Sequence, residues 1–328
     1  MHGLVYDAKL SMKDVPIVTH DNDVVVKVSM AGICGTDLAI VSGDYPVKTP
    51  IILGHEIFGR IHEFPEKQRV FSVGDRVVTE INIACGRCYF CTHNMRIHCA
   101  KVQTLGISRN GGFAEYVSVP SENLHRIPRS ISDREAPFIE PLAAAIELTR
   151  MCSISRNSTC AVIGAGRLGL LILQVLRLTR PKLMLVIGGS ERKKSLALQY
   201  GADFVLDRGE LEKAMELTQN VGFDHVVEAT GNSEGMKVAL RIVRPRGVIH
   251  TKSTHGVQVP FDFTKAVVKE VRIQGSRCGP FKDAISLLES GKVRVKEMIT
   301  HTFKLDEYDE AFNMANSSDS IKVMFSIN

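Results

Sequence analysis

The stretch STCAVIGAGRLGLLILQVLRLTR, residues 158–180, has the pattern of a β-strand, a glycine turn and a long apolar helix. The residues from Gly164 to Gly169 fit the spacing G-x-G-x-x-G. Gly164 permits the tight turn, Gly166 lets a pyrophosphate approach the backbone, and Gly169 allows the helix to pack closely on the strand. Free N–H groups at the helix start can hold phosphates, so the stretch predicts dinucleotide binding rather than a glycine turn without a ligand.

Predicted strands alternate with predicted helices on both sides of this stretch. Helical spacing occurs at 141–154, 191–201 and 234–244. Strand patterns beyond the first occur at 182–190, 203–207, 223–232, 247–252 and 270–276. Alternation of this kind predicts an α/β domain with a parallel sheet.

The residues IGGSERKK, which end the second predicted strand, indicate which dinucleotide binds. An Asp or Glu at this point normally binds the ribose 2′-hydroxyl, but Gly188 and Gly189 stand there, followed by Ser190, Arg192 and Lys193. A 2′-phosphate then meets no carboxylate, and each hydrogen bond to its charge contributes about 1.5–3 kcal/mol. NADP is favoured over NAD; the alternative is that the two cations only begin a solvated helix. The predicted cofactor contacts are Gly164, Gly166, Arg167, Leu168, Gly169, Gly188, Gly189, Ser190, Arg192, Lys193 and Thr230.

The first 130 residues have a different character, with short strand patterns and frequent Gly and Pro. Strands are expected near 23–30, 74–83 and 111–120, as in a barrel-like β domain. The net charge of +5 and the absence of Trp do not favour nucleic-acid binding. No signal peptide or membrane span is visible, so a cytoplasmic, reducing location is expected, where clustered cysteines are more often metal ligands than disulfides.

Half of the eight cysteines lie in the segment ACGRCYFCTHNMRIHC, residues 84–99. Their spacing is C-x2-C-x2-C-x7-C, and four thiolates at such spacing can surround one zinc ion in a closed, structural site. His98 adjoins the last cysteine, so one could replace the other, and an iron–sulfur cluster is a further alternative. The predicted ligands are Cys85, Cys88, Cys91 and Cys99.

A second set of metal-binding residue types is dispersed along the chain. GICGTD contains Cys34, Thr36 and Asp37, GHE contains His55 and Glu56, and EPLA contains Glu140. A Cys, a His and a carboxylate can hold zinc with one position open, as catalytic sites do. Taken singly, these residues could also be a buried cysteine, a core histidine and a helix-capping glutamate.

The joint pattern resembles the zinc-dependent medium-chain dehydrogenases, the superfamily of alcohol, sorbitol and threonine dehydrogenases. GICGTD, GHE, the cysteine segment, GDRV, GGFAEY, EPLA, GAGRLG, GSRCGPF and LESGKV occur in that family's order across nearly the whole chain. The resemblance is strongest to threonine-dehydrogenase-like members. It implies a GroES-like catalytic domain at 1–141 and 277–328, with a zinc lobe at 84–100, and a Rossmann doubly wound parallel-sheet domain at 142–276.

The resemblance also implies residue roles. Cys34 and His55 match ligands of a catalytic zinc, with Glu56 or Glu140 as the third ligand, and the four lobe cysteines match a structural zinc. Asp37 matches the acid that orients the zinc-binding histidine, and Thr36 matches the hydroxyl that passes on the substrate proton. Ala39 stands where many relatives carry a proton-relaying histidine.

The implied activity is interconversion of an alcohol and its carbonyl compound by hydride transfer to or from a nicotinamide, with two zinc ions per chain. A glutamate in place of a cysteine ligand makes the metal site harder, which favours a polyol, sugar or hydroxy-amino acid as the small-molecule substrate. The alternative is a non-catalytic NADP-binding protein on the same scaffold. The predicted edge strand at 270–276 is expected to join a twofold mate, giving a homodimer or homotetramer.

Overall fold

The computed structural model describes residues 1–20, 23–65, 70–254, 256 and 258–327. Its strands, in chain order, are β1 His2–Asp7, β2 Lys9–Asp14, β3 Asp23–Gly32, β4 Ile51–Ile52, β5 Glu56–Glu63, β6 Arg76–Thr79, β7 Asn82–Ile83, β8 Gln103–Thr104, β9 Tyr116–Pro120, β10 Leu124–Arg126, β11 Thr159–Ile163, β12 Leu183–Ile187, β13 Phe204–Leu206, β14 Phe223–Glu228, β15 Val243–Thr251, β16 Arg272–Gly275, β17 Ile299–Lys304 and β18 Lys322–Ser326.

Most helices are short. They are α1 Gly35–Val41, α2 Tyr89–Thr92, α3 Ile139–Met151, α4 Arg167–Leu178, α5 Glu191–Gln199, α6 Leu211–Glu216, α7 Ser233–Ile242, α8 Phe263–Val268, α9 Phe281–Glu289 and α10 Tyr308–Asn316. The two longest, α3 and α4, come before and after β11 along the chain. Among the described residues, no helix combines the length and the apolar composition needed to cross a membrane.

The chain forms two compact units, Met1–Glu140 with Phe281–Asn328, and Pro141–Pro280. The first unit is rich in β-structure. Its largest sheet follows the path β10-β6-β5-β3-β18-β17, with β9 also paired to β3, and a smaller sheet has the order β2-β1-β4. The long strand β3 is therefore central. Most of its ten residues are apolar, which explains why the strand is buried on both faces.

A two-stranded antiparallel ladder closes the base of the cysteine segment. Asn82 of β7 pairs with Thr104 of β8, and Ile83 pairs with Gln103. The two ends of the loop that carries the four cysteines are thereby held side by side, so a loop without a core of its own has a fixed base.

The second unit contains a six-stranded parallel sheet with the order β13-β12-β11-β14-β15-β16. This is the strand order 3-2-1-4-5-6 of a doubly wound dinucleotide-binding fold. The order reverses between β11 and β14, and ligands of such sheets bind beside the carboxyl ends of the strands at this point. The α/β, parallel-sheet prediction is confirmed.

Several elements differ in length from their sequence patterns. The pattern at 111–120 becomes a strand only at β9, because a Cβ at Gly111 would collide with Gly54 O and a Cβ at Gly112 would lie 2.5 Å from Ile57 Cγ1. These two glycines instead lie against residues 52–54, to which Gly111 N and Gly112 N donate hydrogen bonds. In the second unit, the pattern at 223–232 ends as a strand at Glu228, where a loop begins.

Candidate functional site

Asp37 is the centre of the first group of predicted site residues. Cys34 precedes α1 as its N-terminal capping residue, and Asp37 lies in the first turn of that helix. The fully buried Asp37 carboxylate accepts a hydrogen bond from Cys34 N at 2.8 Å and one from Gly54 N at 3.2 Å. It also lies 3.6 Å from His55 Nδ1, a charge contact rather than a hydrogen bond. One carboxylate therefore holds the segments of Cys34 and His55 together.

The surroundings of His55 are strongly negative. Burial alone would lower the pKa of this imidazole, but the charges of Asp37 and Cys34, a side-chain hydrogen bond with Cys34 and the charge of Glu140 raise it to about 10. Glu140 lies in the first turn of α3. The structure thus brings Cys34, Asp37, His55 and Glu140 into one neighbourhood. Zinc in proteins is commonly bound by thiolate, imidazole and carboxylate groups. This group contains all three, and its negative charge attracts a cation.

Glu56 has a different partner, which sequence reasoning missed. Its carboxylate forms an ion pair with Lys322 Nζ, and both side chains are 1% exposed. Lys322 also donates to Ile33 O at 3.2 Å and lies 5.9 Å from the centre of the Phe138 ring. Burial lowers the pKa of Lys322 to about 8, although the charges of Cys34 and Asp37 raise it. Lys322 is the first residue of β18, and its position between Ile321 and Val323 in an apolar strand is the one sequence signal for it.

Gly32 makes this ion pair possible. A Cβ at Gly32 would collide with Glu56 Oε2 and would lie 2.6 Å from Lys322 Cε. Any larger residue would have to displace the pair.

Thr36, predicted to pass on a proton, lies half-buried in the first turn of α1, and Ala39 lies on the same helix.

The four lobe cysteines converge. Their Sγ atoms all lie within 4.8 Å of one another, and all four are free thiols. Cys88 Sγ lies 3.5 Å from Cys91 Sγ and 3.8 Å from Cys99 Sγ. Thiolates around a tetrahedral zinc lie about 3.8 Å apart, given Zn–S bonds of about 2.3 Å. The set therefore fits a zinc ion held by four cysteines.

Backbone N–H groups of the lobe donate hydrogen bonds to the sulfurs of Cys88 and Cys99. The N–H groups of Cys85 and Lys101 each donate to Cys99 Sγ at 3.3 Å. Backbone hydrogen bonds from Ala100 and Cys91 lower the pKa of Cys88 to about 6, which burial opposes. His93 lies against Tyr89, with its Nδ1 2.8 Å from Tyr89 O, so it is engaged within α2 and its end.

The glycine turn has the geometry that its spacing predicts. Gly164 has φ +101°, and a Cβ there would lie 2.8 Å from Ala229 O. A Cβ at Gly169 would collide with Gly164 O. Around Gly166, the N-terminal capping residue of α4, a Cβ would meet nothing within 4 Å in the part of the chain that the structure describes. This open space beside a helix start, next to the half-buried Arg167 and Leu168, can admit a pyrophosphate.

Polar and basic side chains surround the end of β12. Gly188 and Gly189 have φ +83° and +115°, and the buried Ser190 Oγ has no hydrogen-bond partner among the described residues. Lys193 packs beside Gly189, where a Cβ would lie 3.1 Å from Lys193 Cβ. Glu191 is directed to Lys194 at 2.8 Å.

Arg208 joins this group although no sequence pattern indicated it. A Cβ at Gly188 would lie 3.2 Å from Arg208 Nε. Arg208 follows β13, which the sheet order places next to β12. The predicted contact Thr230, by contrast, is engaged in its own loop, where its Oγ1 lies 2.5 Å from Glu228 Oε1.

Two family models match this chain. Residues 20–129 match the alcohol dehydrogenase GroES-like domain, and residues 168–290 match the zinc-binding dehydrogenase domain. The chain is 34% identical to sorbitol dehydrogenase of Halalkalibacterium halodurans, over 92% of this chain and 91% of that protein. It is 32% identical to L-threonine 3-dehydrogenase of Pyrococcus horikoshii, over 98% and 95%.

Solved structures show the same fold. A zinc-binding dehydrogenase from Sinorhizobium meliloti, bound to NADP, has a TM-score of 0.88 at 28% identity and covers 99% of this chain and 98% of its own. An Escherichia coli alcohol dehydrogenase complexed with NADH has a TM-score of 0.89 at 28% identity, with 99% of each chain covered.

Fold, site and similarity together define the class of protein, a zinc-dependent alcohol dehydrogenase-type oxidoreductase. Within that class, the chain belongs to the zinc-dependent medium-chain dehydrogenase superfamily and is threonine-dehydrogenase-like. The recognition made from the sequence motifs is confirmed, and the chain acts on a small-molecule alcohol or carbonyl compound.

Proposed function

We propose that this enzyme interconverts a polyol, sugar or hydroxy-amino acid and the corresponding carbonyl compound, with NADP(H) as coenzyme. The observation that carries the proposal is the buried Asp37 carboxylate, which joins Cys34 N, Gly54 N and the ring of His55. A carboxylate behind the histidine fixes the ring and raises its basicity, as the outer partners of metal ligands do.

Cys34, His55 and Glu140 are the proposed ligands of a catalytic zinc. Glu140 is favoured over Glu56 as the third ligand because Glu56 already pairs with Lys322 in a fully buried contact. Lys322 balances the Glu56 charge and so limits the negative charge that the site presents. When bound there, zinc supplies Lewis acidity to a substrate oxygen.

Proton movement is assigned to Thr36. Thr36 follows Cys34 by two residues, in the first turn of α1, and its hydroxyl can accept a substrate proton and donate its own onward. Because Ala39 replaces the usual relay histidine, the onward path runs through water or a coenzyme hydroxyl rather than through a side chain at that position.

The preference for NADP is supported by four polar groups at the end of β12. Ser190 Oγ needs a hydrogen-bond partner, and Arg192, Lys193 and Arg208 supply positive charge. A 2′-phosphate can accept a hydrogen bond from Ser190 Oγ and charge-assisted hydrogen bonds from these cations, whereas a 2′-hydroxyl carries no charge for them to bind. NADP and NADH are both named as ligands of related solved structures, so the preference rests on these residues.

The substrate class follows from the ligand set. A carboxylate ligand in place of a thiolate makes the site harder and better suited to polar, oxygen-rich substrates. Sorbitol is a polyol and threonine is a hydroxy-amino acid, and the relatives named for them share about a third of this sequence.

The four-cysteine lobe is proposed to hold a second, structural zinc. No position is left open among four thiolates, so this ion stabilises the loop and takes no part in the reaction. Two zinc ions per chain are therefore expected.

We also propose that the enzyme is a homodimer or homotetramer joined at β16. The exposed apolar side chains near this sheet edge form an edge patch of Phe263, Val267, Val268 and Ile273. Val268 is 77% exposed. An open strand edge next to exposed apolar residues favours pairing with a second copy.

The proposed function is tested with zinc-replete protein, NADP⁺ or NAD⁺, and a panel of polyols, sugars, hydroxy-amino acids and simple aliphatic alcohols. We expect coenzyme reduction with a polyol, sugar or hydroxy-amino acid, and a higher kcat/KM with NADP⁺ than with NAD⁺. Turnover restricted to aliphatic alcohols would contradict the substrate class, and a preference for NAD⁺ would contradict the coenzyme assignment.

A further inference from the structure

A further group of metal-binding side chains lies in the parallel-sheet unit and shares no residue with the proposed zinc sites. Cys152 directly follows α3, His225 is in β14 and His250 is in β15. The register pairs His225 with Val248, two residues before His250. Neighbours in register and residues two apart share a face of the sheet, so both imidazoles project from the same face.

The three side chains converge closely. His225 Nδ1 lies 3.1 Å from His250 Nε2, and the two rings stack at 29° with centroids 5.4 Å apart. Each residue offers one ligand atom, and the three atoms all lie within 4.8 Å of one another. Around one ion, such atoms would be about 3.2–3.9 Å apart, given metal–N bonds of about 2.0–2.1 Å and metal–S bonds of about 2.3 Å. The two nitrogens, 3.1 Å apart, lie just below this range, and small side-chain rotations would bring all three atoms into it.

A hydrogen bond between the histidines uses one ring nitrogen as donor and the other as acceptor. His225 and His250 are 6% and 1% exposed, so water reaches neither ring freely. An ion bound by His225 Nδ1, His250 Nε2 and the Cys152 sulfur would replace this single hydrogen bond with three metal–ligand bonds.

We propose that Cys152, His225 and His250 form a third metal site, for an ion that prefers thiolate and imidazole ligands, namely Cu⁺ or Zn²⁺. The site is independent of the proposed catalytic and structural zinc sites. Cys152 is half-buried, which gives an ion a route from solvent, while the two histidines form the closed inner side. The bound ion would connect the end of α3 to two adjacent strands.

The number of ligands decides between the two ions. The group offers three ligand atoms, one thiol sulfur and two imidazole nitrogens. Zn²⁺ in a closed protein site takes four ligands, whereas Cu⁺ prefers soft thiolate ligands and accepts three. Cu⁺ is therefore favoured.

The test counts copper on protein that already contains its zinc. Wild type, Cys152→Ser and a control, Cys278→Ser, are incubated anaerobically with Cu⁺ held by a competing chelator, and copper and zinc per chain are measured after desalting. Cys278 is a half-buried cysteine of the same unit outside the group. We expect one copper per chain in wild type and Cys278→Ser with zinc unchanged, and less than a tenth of that in Cys152→Ser.

A second variant and a second ion complete the design. His250→Gln should lose the copper as Cys152→Ser does, and its far-ultraviolet circular dichroism checks that it is folded. In a parallel arm with excess Zn²⁺, wild type should take up an additional zinc more weakly than copper, and Cys152→Ser should take up none. Equal copper in wild type and Cys152→Ser, copper bound only at the expense of zinc, or no uptake of either ion would overturn the proposal. Since the readout is metal content, it does not depend on the dehydrogenase activity.

Discussion

At the scale of single residues, both the proposed ligand set of the catalytic zinc and the proposed substrate class depend on Glu140. We predict that Glu140→Ala lowers zinc content and turnover together, because the zinc loses a charged ligand. The affinity for NADPH should stay near the wild-type value, since the proposed coenzyme contacts are made by the glycine turn and not by Glu140. Metal analysis, kinetics and coenzyme titration of the same preparation measure all three.

Glu147→Ala, on the same helix, is the matched control and should keep both zinc and turnover. If Glu140 only caps α3, its loss would cost about 1 kcal/mol of stability and leave zinc and rate unchanged. That result would remove the argument for a polar substrate as well.

Lys322 provides a second prediction at this scale. Replacing it with Met leaves Glu56 as a buried charge without its partner, which should lower the free energy of unfolding by about 3–5 kcal/mol. Adding Glu56→Gln should recover at least half of this loss. Urea unfolding of the two variants measures both effects.

Lys27→Met, an exposed lysine on the neighbouring strand β3, should change stability by no more than about 0.5 kcal/mol. A similar loss in Lys27→Met and Lys322→Met, or no recovery in the double variant, would mean that the buried ion pair does not dominate the effect.

The residues that sequence reasoning named and those it missed differ in how they reach the site. Cys34, Asp37 and His55 stand in short motifs, so their types and spacing could be recognised. Lys322 approaches Glu56 from 266 positions along the chain, through the pairing of β18 with β3. Only the three-dimensional register reveals such a contact.

At the scale of elements, the end of β12 and the start of the loop after β13 form the proposed 2′-phosphate site. Arg208→Ala should weaken NADPH binding about tenfold or more, because a charged hydrogen bond contributes about 1.5–3 kcal/mol. NADH binding should change little. Fluorescence titration with both coenzymes compares the two.

Arg241→Ala, an exposed arginine on α7, is the control and should alter neither affinity. Equal weakening of NADPH and NADH by Arg208→Ala would show that Arg208 acts on the fold or on the pyrophosphate rather than on the 2′-phosphate.

The elements around the glycine turn were predictable because the apolar runs of β11, β12 and α4 are long and punctuated by glycine. Arg208 was not, since the sequence does not state that β13 lies beside β12. Strand ends were also less predictable. The pattern at 111–120 reads as one strand, yet close approach of Gly111 to Gly54 turns its first half into a bend.

At the scale of the whole molecule, the edge patch is the proposed interface between two copies of the chain. Val268→Asp should convert the oligomer to monomers, because a charge would be buried in an apolar contact. Sedimentation or light scattering at micromolar concentration measures the mass. Val221→Asp, at another exposed valine of the same unit, should leave the mass unchanged. A wild-type monomer would contradict the proposed interface directly.

The central claim is that the Cys34, His55 and Glu140 group holds the alcohol whose hydride passes to the coenzyme. The most direct measurement uses a polyol or hydroxy-amino acid deuterated at the carbinol carbon and follows the label by mass spectrometry of the NADPH formed. Wild type should transfer one deuterium per NADPH, while His55→Ala should transfer none and still bind NADPH. Deuterium that fails to appear in NADPH, or transfer that persists undiminished in His55→Ala, would contradict the account.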